Sequence, residues 1–525
     1  MAVIINSVSV EAVPGASLFE HAERVGIAVP TSCNKQGKCR ECIVEVTEGA
    51  ECLSARTGEE RHLGERFRLS CRAHMGQASL PAESHARPGG LPHVVCHTMR
   101  RGHMRIETGG LKTIATHEPR AGYGIAMDLG TTTIVLRLYN LATGELTATT
   151  SLENPQRFGG SDVMSRIHYD THHPGRLLLR TLAGYLGRAI AELPIDPREI
   201  VEMVVVGNST MRDLFFRKSV YTIGQNPYRS ITEIELAEGK RSTTALTEVG
   251  RRSLLPIHPD ALVYGAPILS GHVGADAAAC MLAVNIANED RMVAVMDIGT
   301  NTELILGNRH RILAASCPAG PAFEGGAITC GMPALDGAIE DVHITESGAI
   351  ELGVIGGGAP TGICGSGLVD ILSELLRTER MNDLGRFEEI ELAPGVRLTE
   401  NDASELAQAK GAHVAGIQIV CEAYGIDVQD IDIFYLAGGF GRHLKVDAAR
   451  RIGLIPNLPD SKIVQAGNAA IEGAAIALLS PTKRRELEEL VRRVEHCRLE
   501  THSRFFDYFV EGCQFRTMQS MVHHA

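Results

Sequence analysis

No stretch of this 525-residue chain approaches the roughly 18 consecutive apolar residues that a membrane span requires, so a spanning helix is not expected. The opening Met1-Ala2-Val3-Ile4-Ile5-Asn6 lacks the basic flank and the longer apolar stretch of a secretory signal, which makes the cytoplasm the expected compartment. Positive charge is in short supply: 51 Lys and Arg stand against 63 Asp and Glu, a formal net charge of −12. That balance excludes nucleic acid and anionic membrane as main partners. The locally basic run Arg87, Arg100, Arg101, Arg105, Lys112 and Arg120 reads as a solvated linker face. Disulfides are not expected either, because thirteen Cys in a chain of this compartment argue for metal ligands or buried thiols. What remains is a soluble globular protein, 44% apolar, long enough for about three domains.

Two stretches carry nearly the same text, Asp128-Leu129-Gly130-Thr131-Thr132-Thr133 and Asp297-Ile298-Gly299-Thr300-Asn301-Thr302. Each lies between two apolar runs and reads as a tight turn joining antiparallel strands. Glycine lets the backbone approach an anion, the following N–H and hydroxyl groups can donate to phosphate oxygens, and the preceding Asp can hold hydrated Mg²⁺. One such turn is ordinary hairpin chemistry. Two of them, one per lobe, suit a phosphate chain gripped from both sides.

Residues 1–80 hold five of the thirteen Cys. Val3–Ile5 and Val8–Val10 read as a hairpin, and Ser17–Arg24 as a helix capped by Ser17. Cys33, Cys39 and Cys42 follow with the spacing C-x5-C-x2-C, then a strand at Ile43–Val46 and, further on, Cys71. The pattern resembles the [2Fe-2S] ferredoxin family, nearer its C-x5-C branch than the plant-type C-x4-C-x2-C. Loop thiols beside a glycine suit a cluster, whose sulfurs need nearby N–H donors. Structural zinc is the rival, although zinc thiols usually come as two close pairs. Cys71 is preferred as the fourth ligand over Cys52.

Residues 81–122, rich in Pro, Gly, His and Arg, read as a linker with a small β-segment around Val94-Val95 and Met104–Ile106. From residue 123 the pattern alternates strand and helix, lobe I to about 285 and lobe II over about 290–525. Lobe I adds a strand at Gly144–Ser151, helices near Ser161–Thr171 and Gly175–Leu193, and a strand Val201–Val206 ending in Gly207-Asn208-Ser209-Thr210-Met211, read equally as helix cap or ligand contact. Gly271–Asp276 opens a small-residue helix that bridges the lobes, with Asp276 placed to orient Mg²⁺ or water. In lobe II, Gly362–Gly367, including Gly365 and Ser366, opens a helix to Arg377. A long helix runs from about Ala403 to Tyr424. The strand Ile431–Leu436 enters Ala437-Gly438-Gly439-Phe440-Gly441, where the glycines would let main chain lie against adenosine. A strand Lys462–Gln465, a helix Ala469–Leu479, an amphipathic helix Pro481–Glu500 and an aromatic tail Phe505–Phe509 complete the pattern. Cys280, Cys317, Cys330, Cys364 and Cys421 read as core thiols.

With these motifs in place, residues 124 to about 480 resemble the acetate kinase, sugar kinase, Hsp70 and actin superfamily. Three longer motifs, Gly207–Met211, Pro318–Gly325 and Ala437–Arg442 with Ile452–Pro456, resemble one branch closely: the reductive activators of corrinoid proteins. The resemblance implies an α/β chain, an N-terminal β-grasp ferredoxin-like domain followed by a two-lobed actin-like (ASKHA) ATPase domain. It departs in two respects. The stretch ahead of lobe I is too short for an additional middle domain. Multi-Cys C-terminal sites are missing, with only Cys497 and Cys513 there, so one cluster is expected.

The resemblance implies ATP-dependent one-electron reduction of Co(II) corrinoid to Co(I) for a methyltransferase system, with an electron-donating reductase or ferredoxin, the corrinoid protein and a possible homodimer as partners. The cluster falls to Cys33, Cys39, Cys42 and Cys71. Mg-ATP falls to Asp128, Asp276 and Asp297 with Gly130, Thr131, Thr132, Thr133, Gly299, Thr300, Asn301, Thr302, Gly365, Ser366, Gly438, Gly439, Phe440 and Gly441. Two alternatives stay open from sequence: a small-molecule kinase with Asp276 or Glu324 as base, and an ATP-gated electron-transfer module.

Overall fold

The computed structural model describes residues 2–76, 93–99, 111, 117–320 and 322–518, with Glu324 and Arg442 as backbone only. Local chemistry accounts for the first elements. Ala2–Ile5 and Val8–Glu11 pair antiparallel across Asn6 and Ser7, both left-handed, as a two-residue hairpin turn of this twist demands. The helix Leu18–Arg24 starts with a capping box in which Ser17 accepts from the Glu20 N–H and Glu20 accepts from the Ser17 N–H.

The first sheet has the order Val8–Glu11, Ala2–Ile5, His93–Thr98, Ile43–Glu48, Phe67–Leu69. Its middle strand, His93–Thr98, comes from the stretch that the sequence assigns to a linker. Val94 and Cys96 alternate into the core, and the strand pairs parallel with Ala2–Ile5 and antiparallel with Ile43–Glu48. The sheet therefore closes only after residue 93; the expected strand at 104–106 lies outside the described residues.

Two six-stranded sheets follow, built alike. In the first, the hairpin Tyr123–Leu129 and Thr133–Asn140 continues antiparallel to Leu146–Glu153, and on its other side Tyr123–Leu129 runs parallel to Ile200–Val206. In the second, Val293–Ile298 and Thr302–Gly307 continue to Ile312–Cys317, with Ile433–Ala437 parallel to Val293–Ile298. Each repeated turn sits at the same place in its sheet. Central strands buried on both faces, such as Ile200–Val206, read as nearly continuous apolar runs for that reason, here interrupted by Glu202 alone.

Two helices of small residues, Ala275–Ala283 and Ala469–Leu479, pack between the sheets and share one core with both. Their close approach needs glycine: a Cβ on Gly473 would lie 1.9 Å from the Ala279 carbonyl oxygen. The amphipathic helix ends earlier than its charge pattern suggests, at Val491, because Val494–His496 leaves it to pair parallel with Ile312–Ala314 at the sheet edge. The aromatic tail is a helix, Phe505–Gly512, with Tyr508 buried and its hydroxyl donating to Glu422 at 2.7 Å.

Gly473→Val should lower stability by about 1–3 kcal/mol or more, the cost of overpacking a filled contact. The measurement is the urea midpoint of the nucleotide-domain transition, and an unchanged midpoint would contradict this packing.

Candidate functional site

The loop carrying the first three thiols curls inward through left-handed residues at Asn34, Lys35, Gly37 and Arg40. Glycine suits position 37, where φ is +74° and a Cβ would displace the Arg72 guanidinium, 2.3 Å away. The four thiols come together as two pairs. Cys42 Sγ donates to Cys71 Sγ at 3.3 Å, and Thr31 Oγ1 lies 4.0 and 3.8 Å from the sulfurs of Cys33 and Cys39. Among the described residues no three Cys, His or acidic side chains converge on a single ion. Four thiols so placed supply the four thiolates that a two-iron cluster needs, two per iron.

The surroundings favour thiolate at one end of the set. Burial works against it, but the Cys39 N–H and thiol, the Gln36 N–H and the Thr31 hydroxyl bring Cys33 down to about 6. Cys71 is lowered by the Cys42 thiol and the Gly37 N–H, and Cys42, sharing its proton with Cys71, is raised. Cys52 is buried, and none of the other four Cys contributes to its shift, which burial drives upward.

The second centre is a cleft of about 260 Å³ between the two large sheets. The repeated turns face each other across it: Thr132 Oγ1 and Thr300 Oγ1 are 3.3 Å apart. Asn208, which caps the helix Ser209–Phe215, donates to Thr131 Oγ1 at 2.9 Å, and Asn468, which caps Ala469–Leu479, donates to Asp128 Oδ2 at 2.7 Å. On the far side Gly438, at φ +90°, leaves no room for a Cβ beside the Ile298 carbonyl oxygen at 2.5 Å, while Gly439 looks into open space. Phe440 lies 5.3 Å from Phe323, centroid to centroid, and Phe323 stacks on His413. Main-chain glycine beside a hydroxyl-rich turn pair gives a cradle for a nucleoside and its phosphates.

Acid dominates the cleft floor. Asp128, Asp276, Asp297 and Glu303 line it together. Burial raises Asp128 to about 7, against the Asn468 amide and with help from Asp297. Burial also raises Asp276 to about 7, although the Ala277 N–H opposes it, and the neighbouring Asp128 and Asp297 add to the rise. Asp297 is raised by burial and accepts from Cys280 Sγ at 3.2 Å, and Glu303 is raised strongly by burial and by Asp276 and Asp297. Such a set is relieved by a divalent cation nearby, and because no three of these carboxylates converge on one ion, they would meet it through its water shell.

Most of the residues named from sequence meet in this cleft: Asp128, Gly130, Thr131, Thr132, Thr133, Asp276, Asp297, Gly299, Thr300, Asn301, Gly365, Ser366, Gly438, Gly439 and Phe440 all line it. Two do not. Thr302 is buried with its hydroxyl 2.6 Å from His413 Nε2, because as the first residue of its strand its side chain turns into the core. Gly441 lies one turn into the helix Gly438–His443 and packs on Leu436. Sequence missed Glu303, Arg137 and Asn468, which enter from strand interiors and a helix cap. For Glu303 and Arg137 the signal was a charge inside an otherwise apolar run, and for Asn468 an Asn directly ahead of a small-residue helix. Arg137 pairs with Glu472 at 2.7 Å, joining the first large sheet to the helix Ala469–Leu479.

The cluster loop is fixed to the first lobe. From the helix Leu177–Ala191, Arg180 donates to the Cys39 carbonyl oxygen at 2.9 Å and pairs with Glu41 at 2.6 Å, and Tyr185 accepts from the Met99 N–H at 3.2 Å. One apolar core runs from the first sheet into the second.

Comparison with known proteins agrees with this layout. Residues 3–76 match the 2Fe-2S iron-sulfur cluster binding domain, 123–289 the RACo middle region, and 291–524 the C-terminal domain of RACo, the ASKHA domain. The match to the middle region coincides with the first lobe and does not fall in the short stretch ahead of it. The corrinoid activation enzyme RamQ of Eubacterium limosum is 32% identical over 429 residues, 75% of this chain and 70% of the relative. The Co(II) methylated amine-specific corrinoid protein reductase of Methanosarcina barkeri is 25% identical over 435 residues, 76% of this chain and 79% of the relative. A solved reductive activator for corrinoid, iron-sulfur protein shares the fold with a TM-score of 0.69 at 24% identity, over 99% of both chains.

Two outcomes follow from the geometry. Cys71→Ser should abolish iron retention in anaerobically purified protein while Cys52→Ser leaves iron content unchanged; the reverse order would move the fourth ligand to Cys52. A folded-state value of Asp128 raised to about 7 from an ordinary 3.8 makes its contribution to stability full below about pH 4 and lost as pH rises through 7. With divalent cations chelated, thermal stability relative to Asp128→Asn should therefore fall between pH 5 and about 8, and a difference that rises instead would contradict the buried acid cluster.

Proposed function

The chain belongs to the reductive activators of corrinoid proteins, and on that premise we propose that it uses ATP to drive one-electron reduction of a corrinoid protein from inactive Co(II) to Co(I), serving a corrinoid-dependent methyltransferase system. The reduction is uphill. A plant-type cluster lies near about −400 mV, and each further 100 mV costs about 2.3 kcal/mol for one electron. When bound, the cluster supplies a single low-potential electron, received from a reductase or ferredoxin.

The residues divide the work. Cys33 with Cys39, and Cys42 with Cys71, hold the cluster, while the Gly37 and Gln36 N–H groups face the sulfurs. Thr131, Thr132, Thr300 and Asn301 donate to phosphate oxygens from the two lobes, and Asp128, Asp276 and Asp297 hold hydrated Mg²⁺ beside them. Gly438 and Gly439 admit the nucleoside against main chain. Gripping one phosphate chain from both sheets favours a closed cleft, and a closed state that binds the partner differently from the open one converts nucleotide energy into a shifted equilibrium.

The observation that supports this reading most is that the thiol-bearing loop is bonded to the first lobe of the nucleotide cleft through Arg180 at the Cys39 carbonyl. An electron carrier with an unrelated ATP site would need no such attachment.

The test mixes this protein, a Co(II) corrinoid protein and a low-potential reductant, with and without Mg-ATP, and follows the visible spectrum. Co(I) should accumulate with ATP, and Asp297→Asn should reduce the yield at least tenfold. Equal final Co(I) without ATP would contradict the coupling.

A further inference from the structure

A short segment runs from the phosphate turn of the first lobe to the strand that follows a cluster thiol. Asn154 is buried beneath the turn: its N–H donates to the Thr132 carbonyl oxygen at 2.7 Å and its side-chain amide to the Gly130 carbonyl oxygen at 2.8 Å. The same side chain accepts from the Gln156 N–H at 2.9 Å, capping the tight helical turn Pro155–Gly159. Proline opens that turn, and its end is pinned. A Cβ on Gly159 would lie 2.7 Å from Leu178, and Phe158 packs edge-on against Tyr169 at 5.4 Å. A displacement at Asn154 is therefore carried along the segment rather than absorbed within it.

Arg157 sits in the middle. Its Nη1 is shared by two carboxylates, Glu153 of its own lobe at 3.1 Å and Glu45 of the cluster domain at 2.9 Å, and its Nη2 reaches the Thr98 carbonyl oxygen at 3.5 Å. Glu45 is buried in the strand Ile43–Glu48, which starts at the residue after Cys42, and its other oxygen pairs with the exposed Arg66 at 3.1 Å. One guanidinium bridges two carboxylates from different domains, and drawn wholly to Glu153 it would release Glu45. That is the kind of element whose balance two distant sites can each bias.

We propose that Arg157 is the positioning residue through which nucleotide held at the Gly130–Thr132 turn is felt at the cluster, by shifting its guanidinium from Glu45 toward Glu153. Removing compensation from Glu45 leaves negative charge near Cys42 and disfavours the reduced cluster, which makes the carried electron more reducing. Arg180 also joins the two domains, but it rises from the helix Leu177–Ala191 and makes no bond to the phosphate turn. It is the control for docking alone. The inference rests on the cluster and nucleotide sites proposed above.

The experiment is an EPR-monitored redox titration of the cluster-loaded full chain, with and without a non-hydrolysable ATP analogue and Mg²⁺, alongside direct measurement of analogue binding. In the unaltered protein the analogue should disfavour reduction at least about fivefold, within the usual range of coupling between sites and equal to about 40 mV at 59 mV per tenfold for one electron. Arg157→Met should bind the analogue and show the cluster signal, yet lose the shift. Glu45→Gln, which cuts the same contact from the other side, should lose it too, and Arg180→Met should keep it. A shift that is absent in the unaltered protein, survives in Arg157→Met or Glu45→Gln, or is lost equally in Arg180→Met overturns the proposal. Absence of a cluster signal or of analogue binding in the unaltered protein would remove the functional reading, and this inference with it.

Discussion

Four carboxylates in one cleft set the terms for the nucleotide domain. Asp128 and Asp297 come from equivalent strand ends in two similar sheets, Asp276 from the start of a bridging helix, and Glu303 from the strand after the second turn. Burial pushes each toward the protonated form, and Asp128, Asp276 and Asp297 each raise at least one of the others further. Like charges held this close are costly unless a cation or a proton joins them. Apolar packing supplies the restraint. The helices Ala275–Ala283 and Ala469–Leu479 interlock through Gly473 and join the two sheets in one core beneath the acids.

The same rigidity gives the redox end its meaning. Thiols on a mobile loop could bind iron anywhere on the surface. Here the loop is bonded to the first lobe at the Cys39 carbonyl and through Glu41, and the strand after Cys42 is bonded to it through Glu45. The nearest phosphate turn is one buried residue, Asn154, away from the segment that makes the last of these contacts. Electron carrier and nucleotide clamp are parts of one packed body, which is the physical requirement for one to influence the other.

Much of this was legible in the chain. The two D-x-G-T turns declared themselves because glycine, hydroxyls and a preceding Asp recur between apolar runs, and the C-x5-C-x2-C loop because thiol spacing is a local property. What escaped was non-local. The β-segment at Val94-Val95 was legible but was left inside a linker because its flanks are Pro- and Gly-rich, whereas His93–Thr98 fills the middle of a sheet whose other strands lie as far away as Ala2–Ile5. Val494–His496 was merged into a charged helix because edge pairing leaves no trace in periodicity. Glu303 and Arg137 lie inside apolar strands and gain their significance only when the helices Ala275–Ala283 and Ala469–Leu479 are brought against them. Thr302 erred the other way: it belongs to the motif in sequence but not to the cleft in space.

The central claim is that nucleotide turnover and one-electron reduction are a single coupled process in this chain. Inorganic phosphate and Co(I) measured in the same anaerobic reaction, with limiting ATP and excess Co(II) corrinoid protein and reductant, test it most directly. The account predicts that phosphate release depends on the corrinoid protein and the loaded cluster, and that Co(I) formation stops when ATP is spent. Phosphate released at one rate whether or not partner and cluster are there, with Co(I) continuing after ATP is exhausted, would contradict it.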